Sequence, residues 1–216
     1  NSGLQVDNEL AKTYTNYINE TRDKNTDKNN FWVILFHFKT PVAEMEVTAG
    51  LAKKMASKSE IALITIGRNS GEGSDRQPVE GDFYLTTTEI AMIKNVSDAF
   101  HAAGKKVVVV LNIGGVIETA SWRDFPDAVL CAWQPGQEAG NSVVDVLTGK
   151  VNPSGKLAVT FPLKYSDSPT AKNFPGTPID SSVKYDLSKM NSFSNTAPRI
   201  PWQVVYEEDI YIGYRY

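Results

Sequence analysis

Three short apolar runs that alternate with helical patterns constrain the fold more than any other feature of this chain. The runs cover residues 60–67, 105–115 and 127–136 and read "EIALITIG", "KKVVVVLNIGG" and "DAVLCAWQPG". Continuous apolar runs of this length are typical of strands buried on both faces of a parallel sheet. Helical patterns occupy residues 86–104 and 136–149, and each ends in glycine. Together they predict an α/β fold, a mostly parallel sheet with helices on both faces that forms a three-layer sandwich.

The N-terminal segments add further elements to this prediction. Residues 7–22 have helical spacing, and residues 40–59 predict a second helix that starts at Thr40 with Pro41 in its first turn. Between them, "FWVILFHF" at residues 31–38 is rich in β-branched and aromatic side chains and predicts a strand.

The C-terminal third of the chain is less regular. "GKLAVTFP" at residues 155–162 predicts a strand closed by proline, and "DIYIGYRY" at residues 209–216 predicts an edge strand. Residues 163–205 are rich in Ser, Asn and Pro, and we expect an irregular excursion across the surface. We interpret residues 1–216 as a single domain cut from a longer protein, because the chain opens without Met and stops abruptly. No signal peptide is visible, and because the chain is interpreted as a cut piece, this terminus does not indicate a compartment.

Composition excludes several classes of function. The 216 residues carry a formal net charge of −3, whereas nucleic-acid and anionic-membrane surfaces need clustered Lys and Arg. The chain has one cysteine, Cys131, and two histidines, His37 and His101, with no spacing typical of metal ligands. No apolar run reaches the roughly 18 residues of a membrane span. We therefore expect no metal, no cofactor, no nucleic-acid partner and no membrane partner.

The connection at residues 67–86 is the candidate functional site. It shows no helix or strand pattern, and loops longer than about 12 to 15 residues in compact domains are usually functional or disordered. Ligands of open parallel sheets bind outside the carboxyl ends of the strands, which is where this connection begins. Its first ten residues, "GRNSGEGSDR", contain three glycines, two acids and two arginines.

Glu72 is the leading candidate for chemistry, because the glycines on either side let the backbone turn sharply and approach a ligand. The alternative is a solvated surface glutamate. Asp75 and Arg76 favour a local ion pair or cap that holds the loop. Arg68, at the strand end, either binds an anion or buttresses the loop, and the sequence does not separate these two roles.

Two functions from other classes remain open at this point. A Rossmann-like nucleotide-binding domain is one, although the GxGxxG and GxxxxGK patterns are missing and no helix starts directly after the glycines. A carbohydrate-binding module without catalysis is the other. Trp133 is either a platform on which a sugar stacks or a core or rim aromatic, and Cys131 is interpreted as an inert buried thiol.

Four stretches of the chain resemble the C-terminal domain of glycoside hydrolase family 3. They are "SGEGSDR", "VVVVLNIGG", "AWQPGQEAGNSVVDVLTGKVNPSGKLAVTFP" and the closing "IYIGYRY". The resemblance implies an α/β sandwich beside an N-terminal (β/α)8 barrel, with the active site between the two domains. It also implies an exo-acting β-glycosidase, β-glucosidase-like, that works with retention through an aspartate nucleophile from the barrel and a glutamate acid/base from this domain.

Residue by residue, the resemblance assigns the acid/base role to Glu72 and supporting roles to Asp75 and Arg76. With Arg68 at the strand end, these form the predicted site, and Glu80 is next in line as the acid. The barrel and its nucleophile are absent from the 216 residues, which leaves one of the two carboxylates that retaining hydrolysis requires. The implied partners are that barrel and an oligosaccharide or β-glycoside. The family suggests a periplasmic or secreted location, and the sugar could be glucose, xylose, arabinose or N-acetylglucosamine.

Overall fold

The computed structural model describes most of the chain, with gaps at several points. The described residues are 4–25, 42–69, 76–173, 176–180, 182 and 202–216. The helices are α1 (Asn8–Asn25), α2 (Ala49–Lys58), α3 (Thr87–Ala102) and α4 (Ala139–Leu147), and the strands are β1 (Ile61–Arg68), β2 (Lys106–Ile113), β3 (Ala128–Cys131), β4 (Thr177–Pro178) and β5 (Trp202–Gln203). The strand predicted at residues 31–38 lies outside the described residues.

The three apolar runs form a parallel sheet in the order β1-β2-β3. Its register places Ile64 beside Val109, and Val109 beside Val129. Val109 is completely buried in the central strand. The predicted α/β class with a mostly parallel sheet is confirmed.

Helix α3 packs on strands β1 and β2 and on helix α2. Ala52, Met55 and Ala56 of α2 belong to the same buried core. Strand β1 alternates between buried and exposed positions, with Ala62, Ile64 and Ile66 facing the helices. On the opposite face, Ile61 and Leu63 remain 41% and 44% exposed. Among the described residues, helix α3 therefore covers the first face, and the second face is open around Ile61 and Leu63.

Helix α3 matches its predicted boundaries because strong signals mark both ends. Thr86 is the N-cap: its hydroxyl accepts a hydrogen bond from the Glu89 amide, and the Glu89 carboxylate accepts one from the Thr86 amide. This reciprocal pair is a capping box. Gly104 ends the segment at φ 71°, a left-handed conformation that favours glycine after a helix.

The helix predicted at residues 40–59 starts later than expected. Residues 42–48 are not helical, and α2 begins at Ala49 with Thr48 as its N-cap. Met45 and Val47 are both buried in the core. Two buried residues that are two positions apart suit an extended segment and not a helical turn. Residues 42–48 therefore contact the core as an extended segment that precedes the N-cap.

The two C-terminal strand predictions are wrong. Residues 155–162 form no strand, and residues 209–216 contain a turn followed by a 3₁₀ turn at Gly213–Arg215. The two segments still lie together, because the Tyr214 amide donates to the Ala158 carbonyl at 3.1 Å. Gly213 adopts φ 60°, and a β-carbon there would lie 2.6 Å from that same carbonyl oxygen. This close contact between Gly213 and Ala158 takes the place of the hydrogen-bond ladder that two paired strands would form.

Residues 163–205 are irregular wherever they are described, as predicted. They contain 3₁₀ turns at Tyr165–Asp167 and Pro169–Lys172, and two-residue strands β4 and β5 that pair antiparallel. Among the described residues, no helix is both long enough and apolar enough to cross a membrane.

Candidate active site

The carboxyl ends of the parallel strands bring the loops that follow them to one edge of the sheet. The Gly114 amide, just after β2, donates to the carbonyl of Arg68 at the end of β1, at 3.3 Å. The Ala132 amide, just after β3, donates to the Leu111 carbonyl at 2.9 Å. The loops that follow the three strands therefore start side by side, at the edge where open parallel sheets bind ligands.

Glu72 and Asp75 lie outside the described residues, so the structure gives no geometry for either side chain. The two predicted supporting arginines are described, and they bracket this segment. Arg68 is the last residue of β1, and Arg76 is the first described residue after the gap. Their contacts define the ends of the seven residues 69–75.

Arg68 is held by a buried carboxylate. Its Nη1 and Nη2 each donate to one oxygen of Glu89 at 2.7 Å, and its Nε donates to the Asp82 carbonyl at 3.1 Å. The two side chains are only 8% and 10% exposed. Burial acts to raise the pKa of Glu89, but the hydrogen bonds from Arg68 and Thr86 outweigh it and hold this pKa below its usual range. The Arg68 guanidinium therefore donates its hydrogen bonds to groups of the protein itself.

Arg76 is bound to the side chain and the backbone of Asp82. Its Nη1 donates to Asp82 Oδ1 at 2.6 Å and makes a longer contact of 3.4 Å with the Asp82 carbonyl. The second carboxylate oxygen of Asp82 accepts from the Gln77 amide. The guanidinium also lies over Gly115, where an added β-carbon would be 3.6 Å from Nη2. Arg76 therefore joins the loop after β2 to Asp82.

Sequence reasoning missed both carboxylates that receive these arginines. Glu89 carries a recognisable signal, because Thr86 and Glu89 have the spacing of a capping box ahead of an apolar helix. Asp82 has no such signal in the sequence. The fold brings its partners to it, and some of its contacts are made by its backbone carbonyl.

Two other carboxylates lie near this edge. Glu80, the reserve candidate for the acid, is exposed and lines a cavity of about 400 Å³ together with Glu118. Glu118 is buried, and both of its carboxylate oxygens accept hydrogen bonds from Ser121 at 2.7 Å. Its backbone carbonyl accepts from the Trp122 indole. Glu118 is thus accounted for by local structure.

Trp133 follows β3 at the same edge and adopts φ 53°, which is uncommon for a residue other than glycine. Its ring centroid lies 5.9 Å from that of Phe161, and both rings pack against the hydrophobic core. This packing supports the interpretation of Trp133 as a core or rim aromatic over that of a free stacking platform.

A larger cavity of about 620 Å³ adjoins Arg76 and Gly115. Its lining also includes Phe161, Tyr165 and Tyr216. Across the described parts of the chain, no three His, Cys, Asp or Glu side chains come close enough together to hold a metal ion.

Comparison with known proteins gives a consistent result. Residues 5–214 match the glycosyl hydrolase family 3 C-terminal domain. The β-glucosidase 3B of Thermotoga neapolitana, solved in complex with glucose, is similar with a TM-score of 0.79 and 47% identity, over 99% of this chain and 26% of its own. The β-glucosidase of Ruminococcus albus is 34% identical over 174 residues, which is 80% of this chain and 15% of that protein. The exo-α-(1→6)-L-arabinopyranosidase of Bifidobacterium breve is 30% identical over 168 residues, 76% of this chain and 18% of that protein.

The matches cover most of this chain but only a small share of each relative. This chain spans 15% to 26% of the lengths of the three relatives, so they share with it one part of a larger protein. The family match, by contrast, runs over nearly all of its residues. The chain therefore belongs to glycoside hydrolase family 3, of which it is a C-terminal domain.

Proposed function

We propose that this chain supplies the acid/base carboxylate, Glu72, to a retaining, exo-acting β-glycosidase of the β-glucosidase type. The observation that supports it best is the shared partner of the two arginines on either side of Glu72 in the sequence. Arg68 and Arg76, which flank the segment 69–75, both donate hydrogen bonds to Asp82 at the carboxyl edge of the sheet. An acid/base residue needs flanking residues with fixed positions, because proton transfer depends first on geometry.

The proposed enzyme needs a second domain. Retaining hydrolysis requires two carboxyl groups about 5 to 5.5 Å apart, one as nucleophile and one as acid/base. The family resemblance assigns the nucleophile to an N-terminal (β/α)8 barrel, and the 26% coverage of the Thermotoga chain leaves ample room for such a domain there. The barrel would close over the carboxyl edge of the sheet, where Arg68 and Arg76 lie.

Glu72 would act twice in each turnover. As a protonated acid it donates a proton to the glycosidic oxygen while the aglycone leaves and the barrel aspartate forms the glycosyl-enzyme. The resulting carboxylate then takes a proton from the water that hydrolyses this intermediate, which restores the acid. The first step requires a carboxyl group that remains protonated at working pH, and burial between two domains is a usual physical cause.

The substrate is proposed as a terminal β-linked sugar of glucose type. Two of the relatives are named as β-glucosidases, and one of these was solved in complex with glucose. A third is named as an arabinopyranosidase. The sugar contacts are therefore assigned mainly to the barrel, since similar C-terminal domains accompany different sugars.

Cleavage of a series of leaving groups by the full-length enzyme tests the role of Glu72. In Glu72→Ala, glycosides of unactivated alcohols should lose about 10²–10⁴-fold in rate, because their departure needs a proton. A dinitrophenyl glycoside should form the intermediate at nearly the normal rate and then accumulate it, which gives a burst. Added azide should restore turnover by attacking the intermediate without a general base.

Glu80→Ala is the matched control, since Glu80 is an exposed glutamate in the same connection. It should leave the dependence on leaving group unchanged. If Glu80→Ala shows the selective loss and azide rescue while Glu72→Ala does not, the assignment of the acid is wrong.

A further inference from the structure

We propose that Asp82 is a positioning residue: it holds Arg68 and Arg76, the residues on either side of the segment 69–75, and the acid/base function of the carboxylate in that segment depends on this contact. This inference rests on the proposed function. Asp82 itself lies outside that segment and is not assigned any chemical step.

The central observation is that both ends of the segment are bound to one residue. The Asp82 carbonyl oxygen accepts from Arg68 Nε at 3.1 Å and from Arg76 Nη1 at 3.4 Å. The Asp82 carboxylate accepts a shorter hydrogen bond from Arg76 Nη1, at 2.6 Å, and another from the Gln77 amide. The residues before and after the segment therefore share a single anchor.

The two ends depend on Asp82 to different degrees. Arg68 keeps other strong partners, since Glu89 binds it through two hydrogen bonds and its carbonyl pairs with Gly114. Arg76 has its ion pair with the Asp82 carboxylate, and its guanidinium lies where a β-carbon on Gly115 would meet it. Loss of the Asp82 charge should consequently release the Arg76 end while the Arg68 end stays in place.

The Arg76 end is sensitive to this loss because its ion pair is partly shielded from water. The Arg76 side chain is 13% exposed and that of Asp82 is 30% exposed. Charge-assisted hydrogen bonds of this length are stronger than neutral ones. A displaced segment would misalign a general acid, and a misplacement of about 1 Å can cost about 10²-fold in rate.

The test uses the full-length enzyme with three substitutions. Asp82→Asn keeps the size of the side chain and removes its charge, Asp82→Glu keeps the charge, and Asp98→Asn is the control, because Asp98 makes an exposed ion pair with Lys94. For glycosides of unactivated alcohols, Asp82→Asn should lower kcat by about 10- to 100-fold with little change in KM. For dinitrophenyl glycosides, the glycosylation rate should change less than about 3-fold. Asp82→Glu should recover part of the loss, and Asp98→Asn should match the parent enzyme.

A purely structural role predicts a different pattern. A smaller folded fraction lowers the rate for every leaving group equally, so an equal loss for all substrates, or no loss at all, would overturn the proposal. A double-mutant cycle adds a second criterion: Arg76→Ala and Asp82→Ala should be strongly non-additive in their effect on unactivated substrates, because both remove the same contact. Additive effects would contradict the shared anchor.

The outcomes for Glu72 and Asp82 are separable. Failure of Glu72→Ala to show selectivity for leaving groups overturns the proposed function. Failure of Asp82→Asn to show it, when Glu72→Ala does, overturns only the positioning role. Selectivity in Asp82→Asn supports the positioning role whichever carboxylate of the segment is the acid.

Discussion

Arg68 and Glu89 form a two-pronged ion pair in which each of the two N–O distances is 2.7 Å. It joins the last residue of β1 to the first turn of α3, across the whole connection between strand and helix. Because both side chains are nearly buried, water contributes little to their solvation, and each charge depends on the other. The start of α3 and the end of β1 are thus fixed to each other before any ligand binds.

Removing one partner of this pair should strongly destabilise the domain. Glu89→Ala leaves the Arg68 charge buried without its carboxylate, and such changes typically cost about 3–5 kcal/mol. Urea denaturation monitored by tryptophan fluorescence measures the free energy of unfolding. Lys94→Ala, which breaks an exposed ion pair on the same helix, should cost less than about 1 kcal/mol.

The double substitution Arg68→Met with Glu89→Leu distinguishes charge pairing from other roles of these residues. Replacing both members of a buried pair with apolar groups is often neutral. The double variant should therefore be clearly more stable than Glu89→Ala alone. If it is not, the capping hydrogen bonds of Glu89 with Thr86 account for most of the effect.

The same pair should make stability depend on pH in acid. The folded state lowers the pKa of Glu89, so its contribution is fully present above the unfolded value of about 4.3 and is lost as pH falls through the lower folded value. The free energy of unfolding, measured by urea titration at a series of pH values below about 5, should decrease with falling pH. In Glu89→Gln this decrease should be shallower. An unchanged slope would show that other carboxylates dominate the acid transition.

The central sheet could be predicted from sequence because its pattern allows few alternatives. The strands β1 and β2 are continuous apolar runs, and their burial requires both a parallel neighbour and helical cover. The C-terminal predictions failed for a physical reason. Alternating apolar residues at 209–216 indicate a strand only if a partner supplies a ladder, and here the segment is joined to Ala158 by one backbone hydrogen bond and bends at Gly213.

The candidate site was predictable only where its residues are close in sequence. Arg68 and Arg76 were selected because they flank Glu72 in a glycine-rich stretch. Asp82 could not be selected, because Arg68 reaches it through its backbone carbonyl, and its carboxylate meets Arg76 only after the chain between them has folded back. Backbone acceptors leave no trace in the residue type, so such anchors require a structure.

The contribution of Glu44 to the free energy of unfolding should depend on pH in the opposite direction to that of Glu89. Burial raises its pKa, and the hydrogen bonds that Oε1 accepts from Tyr14 and the Met45 amide, both at 3.0 Å, only partly offset this. A raised folded pKa means that its contribution is fully present below about 4.3 and is lost as pH rises through the folded value. Glu44→Gln keeps the acceptor without the charge, so it should increase the free energy of unfolding at neutral pH and leave it nearly unchanged in acid. A less stable Glu44→Gln at neutral pH would contradict burial as the dominant effect.

The isolated 216-residue chain should fold but should not hydrolyse glycosides. Under the proposed mechanism it provides the acid/base and lacks the nucleophile, and retaining hydrolysis requires both carboxyl groups. Without a barrel over the carboxyl edge, the site would also be open to water, which weakens the electrostatic interactions that catalysis uses.

Incubation of the purified chain with nitrophenyl β-glycosides measures its rate of hydrolysis, and cooperative urea unfolding of the same sample establishes that it is folded. Glu72→Gln is the control for a contaminating glycosidase, because a contaminant would give the same residual turnover in both preparations. Turnover that survives repurification and disappears only in Glu72→Gln would mean that these 216 residues hold a complete active site, and the two-domain mechanism would have to be abandoned.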